Sequence, residues 1–88
     1  MTVEAIIQER ATTHGEYATM AALAQDIKYI MRRGRFTYLK PAHQESLDLI
    51  ATKIARILCG DPDYRDSWND IQGYAALAER AISKREEG

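Results

Sequence analysis

GDPDYRDSWNDIQGYAALAERAI, residues 60–82, holds a helix stop, a turn and a new amphipathic helix in succession. Trp68, Ile71, Ala75, Ala78 and Ile82 recur at the three- and four-residue spacing of a buried stripe. Gly60 closes the preceding helix and Pro62 prevents its continuation, while Asp63 or Asp66 is expected to cap the next one. At about 100° per residue Asp70 falls about 200° from Trp68, beside Tyr74, Leu77 and Ala81 in the apolar sector. An unpaired carboxylate there is costly to desolvate, so Asp70 is expected to have a cationic, metal or hydrogen-bonding partner. Backbone N–H groups at the start of its own helix are the simpler alternative. Gly73 costs about 1 kcal/mol against Ala in a helix, and it predicts close approach by a neighbouring helix or a ligand.

Upstream, Pro41 suits the first turn of a helix that runs to Gly60, with Leu47, Ile50, Ala51, Ile54, Ile57 and Leu58 as its core face. A connection as short as Asp61–Arg65 makes these two helices antiparallel neighbours. Before them, Met20, Leu23, Ala24, Ile27, Ile30 and Met31 mark the buried side of a helix from Glu16 or Tyr17 to Arg33, stopped by Gly34. A first helix is capped by Thr2, carries Val3, Ile6 and Ile7 along one side, and stops at Gly15. Residues 83–88 are charged and are expected to fray. With no strand-like alternation and no linker, the chain is expected to be a single all-α domain, residues 1–88, of four helices with an antiparallel hairpin in its C-terminal half.

The 88 residues carry a formal net charge of −1, which gives no global electrostatic case for DNA, RNA or membrane binding. A chain this short buries only about 60–65% of its unfolded surface, so its core is marginal and a homo-oligomeric bundle is expected. The single Cys59 excludes an intrachain disulfide framework and suits a reducing cytoplasm. No stretch approaches the roughly 20 apolar residues of a membrane span, and the first residues lack the pattern of a signal peptide. A cytoplasmic location is expected. Glycine-rich phosphate loops, paired-cysteine zinc spacings and a helical His-x3-His pair are absent from the sequence.

Two groups of side chains remain for chemistry. Arg10 and His14 extend the apolar line of the first helix; they either snorkel at its edge or face the same interior site as Asp70. Lys28 borders the buried stripe of the second helix, and Arg32, Arg33 and Arg35 close it, either solvated or as a phosphate-binding lip. The second group is acidic: Glu45 and Asp48 project from one side of the third helix and could share a cation, while Asp66 and Asp70 begin the fourth. In an antiparallel hairpin these pairs lie at opposite ends. A site using both needs a shifted crossing, a broken helix or a second subunit, whereas pairing of Asp70 with Lys53 or Asp66 with Arg56 is purely structural.

Glu45-x-x-Asp48 followed by Asp66-Ser67-Trp68-Asn69-Asp70 resembles a reduced form of the MazG-like all-α nucleoside triphosphate pyrophosphohydrolases. The resemblance covers roughly residues 41–82. With RATTHGEY near the start, most of the chain is also similar to small phage and prophage proteins. The first resemblance implies Mg2+ on nucleotide phosphates, with Glu45, Asp48 and Asp70 as ligands. Ser67 stands where that pattern has a Glu, and Asp48 is shorter than its Glu. The reading favoured here is a nucleotide-binding protein that holds a phosphate-bearing nucleotide or nucleotide-derived signal between helices or subunits. Arg10, His14, Lys28, Arg32 and Arg33 would meet its phosphates, and Tyr17 and Tyr74 its base or ribose. In a phage setting this suits sequestration of a host signalling nucleotide, an anti-defence role. A Mg2+-dependent pyrophosphohydrolase and a protein interaction module without a small ligand are the alternatives.

Overall fold

The computed structural model describes residues 2–82. Four α-helices follow in order: α1 Val3–His14, α2 Tyr17–Met31, α3 Pro41–Cys59 and α4 Arg65–Arg80, with one 3-10 turn at Phe36–Tyr38. No strand occurs among the described residues. The expected fraying of Ser83–Gly88 lies outside them.

Most helix ends follow local chemistry. Thr2 Oγ1 accepts from the Ala5 N–H at 3.1 Å and caps α1. Glu16 caps α2 more fully, accepting from the backbone N–H groups of Ala18 and Thr19 and from the Thr19 hydroxyl. Its carboxyl is held below the usual range, chiefly by the Thr19 hydroxyl and then by the two amides. Helix α2 stops at Met31, two residues before the expected Arg33, and residues 32–35 form turns. Pro41 opens α3 and Gly60 closes it.

The start of α4 departs from expectation. Tyr64 occupies the cap position without a side-chain bond, so neither Asp63 nor Asp66 caps the helix. Asp61 instead accepts from the Asp63 N–H, and the Tyr64 hydroxyl donates to Asp66 Oδ2 at 3.1 Å. The Trp68 indole N–H reaches back to the Pro62 carbonyl at 2.8 Å, which holds the ring at the helix start, 50% exposed. The covered side of α4 therefore begins at Ser67 in place of Trp68, while Ile71, Ala78 and Ile82 of the expected stripe stay partly covered. Ser67 is buried, Ile71, Tyr74 and Ala78 are half-buried behind it, and Ala75 is exposed.

Helix α3 is central, packed on α4 on one side and α2 on the other, with α1 crossing its C-terminal end. Met20, Ala24 and Ala55 form a buried cluster with Leu23, Ile27 and Cys59 packed against it, and Ala51 is buried as well. Both ends of the α3–α4 hairpin are tied. Lys53 Nζ meets Asp70 Oδ2 at 2.8 Å, His43 Nε2 donates to the Ala78 carbonyl and Lys40 Nζ to the Ala81 carbonyl, each at 2.7 Å. Arg32 latches α2 to α3: its guanidinium takes both oxygens of Asp48 at 3.0 and 2.8 Å and lies 4.1 Å from the centre of the Phe36 ring.

Several positions read as core stand open. Val3, Ile7, Ile30 and Leu58 are each more than half exposed, and Leu47 and Ile54 are also exposed. No residue of α1 is buried. The spacing that suggested burial is real, but within one chain no helix covers those sides. Gly73 also differs from expectation, since a Cβ there would meet nothing within 4 Å. The close approach occurs at two other glycines. A Cβ on Gly15 would overlap the Cys59 carbonyl, and one on Gly60 would lie 2.5 Å from the His14 backbone. The Asp61 N–H donates to the Thr13 carbonyl at 2.8 Å and seals this crossing of α1 on α3.

Candidate functional site

The glycine crossing places the last turn of α1 over the C-terminal turns of α3 and the start of the connection to α4. Between them lies an open cleft of about 610 Å3. Arg10, Thr13 and His14 line it from α1 together with Ile6 and Glu9, Arg56 from α3, and Tyr64 from the connection. Its volume lies within the range of about 300–1,000 Å3 usual for small-molecule sites.

The polar atoms in this cleft are not all satisfied. His14 Nδ1 and Arg56 Nε are buried and have no hydrogen-bond partner within the described residues. Most buried nitrogens in a protein are paired, so two residues of one cleft lining that each keep a nitrogen without a partner leave hydrogen-bonding capacity unused there. The Tyr64 ring meets the His14 ring edge-on, 5.5 Å between centres. Burial pushes the His14 imidazole below its ordinary value, and the positive charges of Arg56, Lys53 and Arg10 push it further. Tyr64 is raised, first by its hydrogen bond to Asp66 and then by the charge of Asp66, burial, and the charges of Asp70 and Glu9. Cations thus surround the His14 side of the cleft, and carboxylates act on the Tyr64 side. Of the charged lining residues Arg10 and Arg56 are positive and Glu9 negative, so the cleft favours an anion.

Arg10 and His14 line one cleft, but not the interior site shared with Asp70 that the sharper sequence reading expected, and Arg10 stands exposed at the helix edge. Asp70 does not line the cleft, although its charge acts on Tyr64. It has the cationic partner expected of it, Lys53, but its side chain is 44% exposed and not enclosed in the apolar sector. Tyr17, Lys28, Arg32, Arg33 and Tyr74 lie outside the cleft. Arg32 is already engaged by Asp48, and Tyr17 stands 75% exposed at the start of α2. Within one chain Glu45, Asp48 and Asp70 do not gather: Asp48 pairs with Arg32, Asp70 pairs with Lys53, and Glu45 is exposed. Among the described residues no three His, Cys, Asp or Glu side chains are grouped to hold a metal ion.

Arg56 and Tyr64 were not among the ligand residues read from the sequence. Arg56 looked like a structural partner for Asp66, whose carboxylate instead accepts from Tyr64. The available signal was the pair of stops Gly15 and Gly60, each of which ends a helix next to a charged or aromatic residue. It becomes a site only once the two helix ends are known to cross.

The family model described as Domain of unknown function (DUF6378) matches residues 1–82. No curated protein and no solved structure matches the chain.

Proposed function

For a chain that belongs to the DUF6378 family, described as a domain of unknown function, we propose a role from the cleft: holding a phosphate-bearing nucleotide or nucleotide-derived signal. The phosphate sits between Arg10, His14 and Arg56, and the base or ribose lies against Tyr64. The observation that carries this reading is a cleft of net positive lining, where Arg10 and Arg56 outweigh Glu9 and where His14 and Arg56 each keep a nitrogen without a partner among the described residues. A guanidinium offers parallel donors matched to phosphate oxygens, which a lysine does not. The ligand is held rather than cut in this reading, because two of the three acids that would carry a metal-assisted hydrolysis, Asp48 and Asp70, are paired with Arg32 and Lys53 and stand apart from Glu45. Such a protein acts by sequestering its ligand in the cytoplasm; among the described residues no helix is long and apolar enough to cross a membrane.

The working form is a homo-oligomer in this reading. Leu47, Ile54 and Leu58 recur at seven- and four-residue spacing along α3 and stay exposed, as do Val3 and Ile7 on α1. Leu39, Leu47, Ala78 and Ile82 also line a shallow, mostly apolar slot between the α3 start and the α4 end. A second copy covering these sides would complete a core that, among the described residues, contains no large, fully buried side chain.

Incubation with a nucleotide panel and Mg2+ tests the function. A thermal shift with intact ligand recovered on heating is expected, together with a drop in affinity of about tenfold or more in Arg56→Gln. Turnover abolished by Glu45→Ala would establish the pyrophosphohydrolase instead. Absence of any shift near millimolar ligand would leave an interaction module.

A further inference from the structure

The His14 side chain is the one group of the cleft whose charge can change near neutral pH, and its surroundings are unusually one-sided. From its own helix it is faced by Arg10, with Glu9 also on the lining. From α3 come Lys53 and Arg56, and Cys59 lies behind the Gly15 crossing. The connection contributes the Tyr64 ring edge, and α4 contributes Asp66 and Asp70, whose charges fall on the Tyr64 hydroxyl. Glu16, next along the chain, is occupied by Thr19 and Ala18. In the empty cleft a proton on His14 would add a positive charge among three others, with Nδ1 still unpaired.

Resting on the anion-holding reading above, we propose that the cleft takes up a tetrahedral oxyanion together with a proton on His14. Burial is the larger cause of the lowered proton affinity of His14, and an anion between Arg10 and Arg56 offsets the further part that comes from the surrounding positive charges. The anion also accepts a hydrogen bond from the ring, and such bonds are stronger from an imidazolium than from a neutral imidazole. Capture therefore tightens as pH falls through the range in which His14 titrates. By reciprocity the bound anion raises the proton affinity of His14 by the same factor that protonation raises the affinity for the anion.

Sulfate is the probe, because it is tetrahedral and keeps its charge across the pH range of interest. The chain contains two histidines, so imidazole C–H signals of His14 and His43 can be followed together by NMR against pH. His43, bonded to the Ala78 carbonyl and remote from the cleft lining, is the internal reference. Sulfate is compared with chloride at equal ionic strength. The expected result is a His14 midpoint raised by about one unit in sulfate, with the His43 curve unchanged. That rise equals an approximately tenfold tighter sulfate complex of the protonated form. If sulfate shifts the Arg10 and Arg56 signals but leaves the His14 midpoint in place, proton coupling is overturned and anion binding stands. If sulfate moves no cleft signal at any pH, the anion-holding reading itself fails. Equal movement of both histidines would mean general screening and would also overturn the coupling.

Discussion

Substituting Gly15→Ala asks whether the crossing of α1 on α3 builds the cleft. Gly15 has φ 87° and ψ 175°, a backbone region that is essentially glycine's own, and holding alanine there costs about 1–3 kcal/mol. The new Cβ would lie 2.6 Å from the Cys59 carbonyl carbon and 2.7 Å from the Cys59 Cβ, so the helices must separate. Separation also gives up the bond from the Asp61 N–H to the Thr13 carbonyl, contributing about 1 kcal/mol. The combined cost is about 2–4 kcal/mol. Helix α1 has no buried residue with which to resist it, so α1 is expected to undock while α2, α3 and α4 stay packed. Hydrogen exchange resolved by residue is the assay: the amides of Ala5–His14 should lose protection and those of α3 should keep it. The melting temperature should fall by less than the 8 °C or so that even the low end of the full cost would produce. Sulfate binding at Arg56 should disappear with the protection of α1. Wild-type protection of the α1 amides in the variant would refute the reasoning.

The other glycines and the ion pairs give further tests. Gly73→Ala meets nothing within 4 Å and lies inside α4, so it should raise stability by about 0.5–1 kcal/mol in a urea melt; a loss would show a contact there that the single chain lacks. The Glu16 carboxyl is depressed in the folded chain, so its contribution is present above the ordinary carboxylate range and lost as pH falls through the lowered value. Glu16→Gln should flatten that acid limb, read from the amide protection of Ala18 and Thr19, and an unchanged limb would remove Glu16 as its cause. Asp70 is half-exposed on Lys53, so a double-mutant cycle with Asp70→Asn and Lys53→Met should give a coupling of no more than about 1 kcal/mol. A coupling above about 3 kcal/mol would restore the costly buried carboxylate first expected from the wheel.

What the sequence determined is local: Thr2, Gly15, Pro41 and Gly60 act at the helix ends they were assigned, because caps, fixed φ and the missing Cβ work over one turn. The all-α class and the antiparallel hairpin follow from apolar spacing and from a connection too short for anything else. The outward turn of Trp68 was beyond that reach, since the Pro62 carbonyl holds its indole at the helix start and leaves Ser67 as the buried residue there. The Asp70–Lys53 pair was legible from the antiparallel hairpin, whereas only the packing of α2 on α3 gave Asp48 its Arg32. The cleft is the clearest case. Arg10 and His14 could be picked out as cations on an apolar line, whereas Arg56 and Tyr64 join them only because Gly15 and Gly60 let two backbones cross where a side chain would keep them apart.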